Sequence, residues 1–365
     1  MKKVFLLALV ALFSFVLFSC QVEEETEWNI VMLTDVGQIT DKSFNQGTWE
    51  GVKAFAEDND IPHMYFRPNA GTTADYLEAI DLVVANGANV VVTPGFLFET
   101  AIYLAQTKYP DVYFILIDGT PHDAAWSTWL TTDNTVNILF QEEQSGFLAG
   151  YAAVADGFTE LGFMGGMEVP AVQRFGVGYV AGAFYAAEVL NKTITFDAAR
   201  YEYLGDFDNK PEHTVTANSW YAAGVEVIFA AAGGAGNAIM QAAETSEATV
   251  IGVDVDQSSQ SDTVISSAMK QLAVAVQQAL ADLILDDNWQ GGETLNKGAN
   301  EDAVGLPLGA SFKFTTFTEA AYTTLLGQVK DGTIVVPATE TELAAFLTAH
   351  AGNPSVADLV AKTNS

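Results

Sequence analysis

From Trp28 onward, short β-rich runs alternate regularly with helical segments, and few folds are compatible with this order. Such alternation is typical of parallel sheets covered by helices on both faces, because a parallel connection needs a crossover helix. The first series of predicted strands covers residues 29–34, 63–67, 89–93 and 112–117. A second series covers residues 161–164, 193–202, 225–230 and 249–253. Two such series predict an α/β protein with two doubly wound parallel-sheet domains around a ligand cleft.

The length of 365 residues suits two domains of ordinary size, although one large sheet is an alternative that length leaves open. Segment 131–138, with three threonines, one aspartate and two asparagines, is predicted to be the first crossing between the domains. After a helix near residues 269–286 the chain is expected to return to the first domain. We therefore predict two lobes. The N-terminal α/β lobe is 28–130 plus about 268–300, and the C-terminal α/β lobe is 131–267 plus about 301–350.

The first residues read as an export signal. Two lysines precede an apolar stretch over 4–18, which is too short for a confident membrane span and ends at Ser19-Cys20. We predict a lipoprotein signal peptide over 1–19, a lipid anchor on Cys20 and an acidic tether over 20–27. An ordinary signal peptide with an incidental cysteine is the alternative. Cys20 is the only cysteine, so no disulfide within the chain is possible.

The charge balance limits the partners. The chain has 46 acidic and 15 basic residues and a formal net charge of -31. Phosphate backbones would be repelled by such a surface, so no nucleic-acid partner is predicted. We interpret the excess negative charge as a property that keeps the protein surface soluble, not as a binding site.

Candidate site residues follow from one rule of open α/β sheets, namely that ligands bind outside the carboxyl ends of the strands. In the first series, Asp35 and Asp118 directly follow strands, and a polar loop after Asp35 carries Asp41, Phe44 and Asn45 into a helix. Phe44 would offer a flat face for a planar ring, or else pack as a core residue at the helix start. Asp41 has the alternative role of a helix cap, and Asp118 that of a loop aspartate bound by backbone amides.

The second series offers a glycine-rich loop at 230–237, which includes Gly234 and lets bare backbone approach a ligand. Asp254 ends a strand, and Lys270 follows the short run 263–267. Together an aspartate and a lysine would bind vicinal hydroxyl groups, the carboxylate accepting and the ammonium donating. A structural ion pair between them is the alternative.

Catalytic motifs are missing from the sequence. Its four histidines, His63, His122, His213 and His350, have none of the usual zinc spacings, and no Gly-x-Ser-x-Gly motif is present. We therefore predict a non-enzymatic binding protein with no cofactor and no metal.

Several segments, taken in order, resemble the basic membrane protein family of bacterial lipoproteins. The resemblance extends from Trp28 to about Leu308 and rests on segments 34–37, 41–46, 165–167, 174–179, 230–237 and 252–257. It implies a type I periplasmic-binding-protein fold with three crossovers between its domains. It also implies a lipid-anchored, extracytoplasmic monomer of the cell envelope that delivers a purine nucleoside (adenosine, guanosine or inosine) to an ABC transporter permease. A surface lipoprotein that binds a sugar-like ligand or acts in protein contact is the competing interpretation.

The resemblance also implies roles for the candidate residues. In the first lobe, Phe44 would stack on one face of the base, and Asp118 would contact the purine edge. The base pocket would be lined by Asp35, Asp41 or Asn45.

In the second lobe, Phe207 would be the opposing aromatic residue, with Phe175 as a competitor for that role. Gly234, Asp254 and Lys270 would hold the ribose.

Overall fold

The computed structural model describes residues 27–350. The predicted signal peptide, the anchor at Cys20 and all of the tether except Glu27 lie outside the described residues. Within 27–350, no helix combines the length and the apolar character that crossing a membrane requires.

Twelve strands form the two sheets within residues 27–350. In chain order they are β1 Ile30–Leu33, β2 His63–Phe66, β3 Val90–Pro94, β4 Tyr113–Ile117, β5 Thr135–Phe140, β6 Leu161–Gly165, β7 Tyr201–Tyr203, β8 Val227–Ala231, β9 Thr249–Asp254, β10 Val264–Lys270, β11 Thr294–Lys297 and β12 Val304–Gly305. The central strands are buried along their whole length, as expected for strands with helices on both faces.

Ten α-helices connect or cover these strands in the described part of the chain. They are α1 Phe44–Asp58, α2 Thr73–Ala85, α3 Glu99–Lys108, α4 Glu142–Asp156, α5 Pro170–Val189, α6 Pro211–Ala222, α7 Gly236–Ser246, α8 Leu272–Ile284, α9 Glu319–Lys330 and α10 Glu340–His350. Helix α8 packs on α1 in the first domain, and α9 and α10 pack on α4 and α5 in the second.

The two sheets have the same topology. The first has the order β11-β5-β4-β3-β1-β2 and the second β12-β10-β9-β8-β6-β7. Every described pairing is parallel except β10 with the short strand β12. The predicted architecture of two doubly wound parallel-sheet domains is therefore confirmed.

The chain passes between the domains three times, after β5, after β10 and after β11. These crossings are adjacent, because the Gln141 amide donates to the Lys297 carbonyl at 3.0 Å and the Gln271 amide donates to the Ala303 carbonyl at 2.8 Å. The predicted first crossing at 131–138 differs from this arrangement. Strand β5 pairs with β4 in the first sheet, so the first domain boundary lies beyond β5 and not at residue 131. Residues 268–270, which were predicted to belong to the first lobe, form the end of β10 in the second sheet.

Helices α4 and α5 of the second domain meet at backbone contact. A Cβ atom added at Gly178 would lie 2.0 Å from the Glu143 carbonyl oxygen, and one added at Gly182 would lie 2.0 Å from that of Phe147. Only glycine permits so close an approach. The contact matters for the site because both helices begin at the cleft, where they carry Glu142 and Phe175.

Candidate functional site

A cavity of about 720 Å³, its mouth included, lies between the carboxyl ends of the two sheets. Clefts at this position in open α/β sheets are common ligand sites. The structure brings all ten predicted site residues to its wall: Asp35, Asp41, Phe44, Asn45 and Asp118 from the first domain, and Phe175, Phe207, Gly234, Asp254 and Lys270 from the second. Their role in binding remains a prediction, whereas their convergence is a property of the fold.

On the first domain, one asparagine joins two carboxylates. The Asn45 Nδ2 atom donates to Asp35 Oδ1 at 2.8 Å and to Asp41 Oδ2 at 3.1 Å, while its Oδ1 atom accepts from the Asp35 amide at 3.2 Å. Asp41 also accepts from the amides of Ser43, Asn45 and Gln46, so it caps helix α1 as well as lining the cavity. The loop after β1 is therefore held rigidly by its own side chains.

Burial makes these two carboxyl groups less acidic than usual. Loss of solvation raises the pKa of Asp35 to about 6, against the opposing effect of hydrogen bonds from Gly37 and Asn45. Burial also raises the pKa of Asp41, in spite of the backbone amides that bind it. Both groups take up protons more readily than exposed aspartates do.

The cavity has aromatic walls contributed by both domains. The Phe44 ring centroid lies 4.5 Å from Lys270 Nζ, and the Phe175 centroid lies 5.5 Å from the same atom. Phe175 is 2% exposed and packs edge-on against Phe229 in the core. Phe207 is only half-buried. It packs against the glycine-rich loop, because a Cβ atom added at Gly234 would come within 2.8 Å of the Phe207 carbonyl oxygen.

Lys270 is the centre of a buried charge cluster. Its Nζ atom donates to Asp118 Oδ2 and lies 3.4 Å from Asp254 Oδ1 and 3.5 Å from Glu142 Oε1. Arg174 supports the cluster from behind, with its Nε atom 2.5 Å from Glu142 Oε2. The ion pair with Asp254 that sequence reasoning left as an alternative is thus present, and it faces the cavity.

Asp118 and Asp254 occupy matching places at the ends of β4 and β9, and both have left-handed backbone angles, with φ of 54° and 66°. Aspartate tolerates this region better than most residues do. The two strand ends thereby turn their carboxylates toward the same lysine. Asp118 Oδ1 is buried and has no hydrogen-bond partner within residues 27–350.

The cluster sets the charge states at the cavity. Burial raises the pKa of Asp118 to about 7, and the charge of Glu142 adds to this effect while Lys270 opposes it. The pKa of Glu142 is lowered, because Arg174 and Lys270 outweigh its burial. Lys270 stays protonated, since its three carboxylate neighbours outweigh the cost of burial and raise its pKa.

The two domains touch across the cleft. Ser43 Oγ of the first domain donates to Asp254 Oδ2 of the second at 2.5 Å, and Gln257 Nε2 donates to the Lys42 carbonyl at 3.0 Å. These contacts join the two domains beside the cavity. Ser43 therefore acts between the domains, and the capping role falls to Asp41.

Sequence reasoning missed part of the wall and the support behind it. The further lining residues are Gly37, Gly95, Phe96, Leu97, Val169, Ala171, Val172, Ala231, Gly233 and Val253. Gly95, Phe96 and Leu97 directly follow β3, so the strand-end rule would have found them. Glu142 also follows a strand closely, but β5 was not among the predicted strands. Arg174 lies inside helix α5 and carries no such signal.

The arrangement suits binding of a polar, planar molecule. The walls supply flat aromatic faces, buried carboxylate acceptors and one ammonium donor. Within the described residues, no group of three or more histidine, cysteine, aspartate or glutamate side chains is arranged to hold a metal ion.

This architecture, with its cavity between two matching sheet edges, is the two-domain fold of periplasmic binding proteins. A crystal structure of an ABC transporter system solute-binding protein from Aeropyrum pernix superposes with a TM-score of 0.75 at 23% identity, covering 90% of this chain and 99% of that one. At the family level, the model described as ABC transporter substrate-binding protein PnrA-like matches residues 29–337. The chain belongs to this family, the Bmp family.

Two relatives illustrate the range of the family. Basic membrane protein B of Borreliella burgdorferi is 29% identical over 325 residues, which cover 87% of this chain and 90% of the relative. The ABC transporter nucleoside-binding protein BmpA of Lactococcus lactis is 27% identical over 336 residues, which cover 86% of this chain and 90% of the relative. ABC substrate-binding proteins of this family work outside the cytoplasm.

Proposed function

We propose that the protein captures a purine nucleoside in the cavity between its two domains and delivers it to an ABC importer, without chemical turnover. The observation that carries the proposal is the convergence of flat aromatic walls and buried carboxylates at one cavity. A purine base needs such faces for stacking, and the hydroxyl and amino groups of a nucleoside need acceptors. The nucleoside-binding relative in Lactococcus lactis supports the same ligand class.

The proposed roles follow from position. Phe44 and Phe207 hold the two faces of the base. Phe207 is preferred over Phe175, because Phe175 is 2% exposed and engaged in the core. Asp35 and Asn45 line the base pocket together with Asp41.

The buried cluster takes the remaining polar groups of the ligand. Asp254 accepts from ribose hydroxyls and Lys270 donates to them, close to Gly234 on the glycine-rich loop. The unpartnered oxygen of Asp118 accepts from a donor on the purine edge. Among the described residues that line the cavity, Lys270 is the one cation, and carboxylates surround it, so a phosphorylated ligand would meet net repulsion.

Isothermal titration of the full chain in detergent, stripped of retained ligand by unfolding and refolding, tests the proposal. The titrants are adenosine, guanosine, inosine, cytidine and ribose. We expect one-to-one binding of purine nucleosides and no binding of cytidine or ribose. Binding of ribose alone would favour a sugar-like ligand, and silence toward all five would refute the proposal.

The lipid anchor and the oligomeric state belong to the same proposal. We infer that Cys20 is acylated and holds a monomer at the extracytoplasmic face of the membrane, which keeps the captured ligand near the importer. Metabolic labelling with radioactive palmitate should mark the wild-type chain and leave Cys20→Ser unlabelled. Light scattering in detergent should give the mass of one chain after correction for detergent.

A further inference from the structure

A small hairpin over residues 121–130 stands at the rim of the cleft, next to the cavity. We call it the rim hairpin. The Leu130 amide donates to the Pro121 carbonyl at 3.1 Å, and the Asp123 amide donates to the Thr128 carbonyl at 2.9 Å. One antiparallel bridge completes it. The predicted site residues include none of its members.

The rim hairpin is fastened to its own domain by buried polar contacts. His122 is 3% exposed, with Nε2 3.1 Å from Glu99 Oε2 and Nδ1 2.7 Å from the Asp123 carbonyl oxygen. Gln106 Nε2 donates to the Leu130 carbonyl at 2.7 Å. A loop held at so many points is a rigid support rather than a flexible connection.

This support displays a tryptophan to solvent. Trp126 is 52% exposed, and one face of its ring stacks on His122 with the centroids 3.7 Å apart. Its φ of 56° lies in the left-handed region, which disfavours bulky residues. A strained backbone that presents a large apolar ring to water calls for a functional explanation.

The aromatic surface continues from Trp126 into the cavity. The ring centroids of Trp126 and Phe96 are 5.8 Å apart, and Phe96 lines the cavity wall. A Cβ atom at the neighbouring Gly95 would lie 3.7 Å from Cε1 of Phe44. All of these residues belong to the first domain, so the surface stays continuous when the second domain moves away.

We propose that Trp126 and Phe96 form an entry site, on which the flat heteroaromatic ring of an incoming ligand stacks before it reaches the cavity. The inference rests on the proposed nucleoside function, because only an aromatic ligand gains from such a path. Stacking at the rim raises the share of encounters that end in capture. The entry site thus sets the association rate and leaves the final complex unchanged.

Stopped-flow kinetics with the fluorescent nucleoside 2-aminopurine riboside test this proposal on the full chain in detergent. Trp126→Ala should lower the association rate constant by about tenfold, the effect of one lost stacking contact. Because Trp126 does not contact the ligand in the final complex, the dissociation rate constant should fall by the same factor and the equilibrium dissociation constant should stay unchanged. Trp126→Phe keeps a ring and should stay within about threefold of wild type. Leu130→Ala is the matched control, because the Leu130 side chain is 44% exposed on the same hairpin and takes no part in the ring contacts of Trp126 with His122 and Phe96.

The outcomes separate the two proposals. If wild type binds the probe and Trp126→Ala associates equally fast, the entry site is wrong and the nucleoside function stands. An equal loss of association rate in Leu130→Ala would point to general surface hydrophobicity and also overturn the entry site. If wild type binds no purine nucleoside in the titration above, both proposals fall. Thermal melts of each variant show whether a slower rate reflects misfolding.

Discussion

At the scale of single residues, Phe44 offers the sharpest test of the proposed site. Its ring faces the cavity and lies 4.5 Å from Lys270 Nζ. Loss of one stacking face costs about 1–3 kcal/mol, so Phe44→Ala should weaken purine-nucleoside binding by roughly 5- to 150-fold. Phe44→Tyr keeps the ring and should bind nearly as wild type does. Calorimetric titration measures both, and an unchanged dissociation constant in Phe44→Ala would place the base elsewhere.

Glu143 is a buried carboxyl group whose titration should be visible in stability. Burial, with help from the charge of Glu142, raises its pKa from 4.5 to about 8. The folded state therefore holds this proton over a pH range in which the unfolded state has lost it. The stabilisation is complete below about pH 4.5 and disappears as the pH rises through about 8.

Glu143→Gln removes this titration. We expect it to raise the thermal midpoint at about pH 8 by a few degrees, which corresponds to roughly 1–2 kcal/mol, and to change little at about pH 5. Glu78→Gln, on the exposed side of α2, is the control and should match wild type at both values. Scanning calorimetry across this range gives the answer. If the thermal midpoints of wild type and Glu143→Gln changed with pH in the same way, the raised pKa of Glu143 would be contradicted.

At the scale of elements, the crossing of α4 and α5 depends on glycine. A Cβ atom at Gly182 would come within 2.0 Å of the Phe147 carbonyl oxygen, which is backbone and cannot move aside cheaply. Gly182→Ala should therefore destabilise the protein by roughly 1–3 kcal/mol. It should also weaken ligand binding, because the same two helices carry Glu142 and Arg174 to the buried cluster.

The matched control is Gly327 in α9, where an added Cβ atom would meet nothing within 4 Å. Gly327→Ala should stabilise the protein by about 0.5–1 kcal/mol, because alanine is the better helix former. If the packing argument holds, the thermal midpoint falls in Gly182→Ala and rises in Gly327→Ala, relative to wild type. Equal changes in stability would show that α4 and α5 can move apart without loss of stability.

At the scale of the whole molecule, closure depends on contacts between the domains. Ser43→Ala removes the hydrogen bond to Asp254, and bonds to charged groups contribute about 1.5–3 kcal/mol. We expect a larger radius of gyration by X-ray scattering in the ligand-free protein and affinity weaker by about tenfold. Ser258→Ala, which removes a 2.8 Å bond to Ser311 inside the second domain, should change neither. Identical scattering curves would show that this bond does not control closure.

The net charge of -31 gives a second expectation for the whole molecule. Repulsion among surface carboxylates weakens as salt shortens the screening length from about 30 Å at 0.01 M to about 10 Å at 0.1 M. The thermal midpoint should therefore rise over this range, equally in sodium and potassium chloride. A rise in only one of the two salts would indicate specific ion binding instead of screening.

The pattern of the sequence was enough to predict the fold class and half of the residues that line the candidate site. Alternating strands and helices require parallel sheets, and parallel strands bring their carboxyl ends to one edge. Asp35, Asp118 and Asp254 were found by that rule, and each lines the cavity. The domain boundary was misplaced, because polar residues at 131–134 hide the start of β5, and β11 reads as part of a polar stretch.

The contacts between segments that are distant in the chain could not be predicted from the sequence and are known from the tertiary structure. Ser43 and Asp254 are 211 positions apart in the chain, and Lys270 and Asp118 are 152 apart. Arg174 behind the cluster and Trp126 beside Phe96 were equally invisible beforehand. The physical reason is that local pattern fixes how each segment folds and which edge it reaches. Which side chains then meet in the cleft depends on how the two domains pack against each other, and this involves the whole chain.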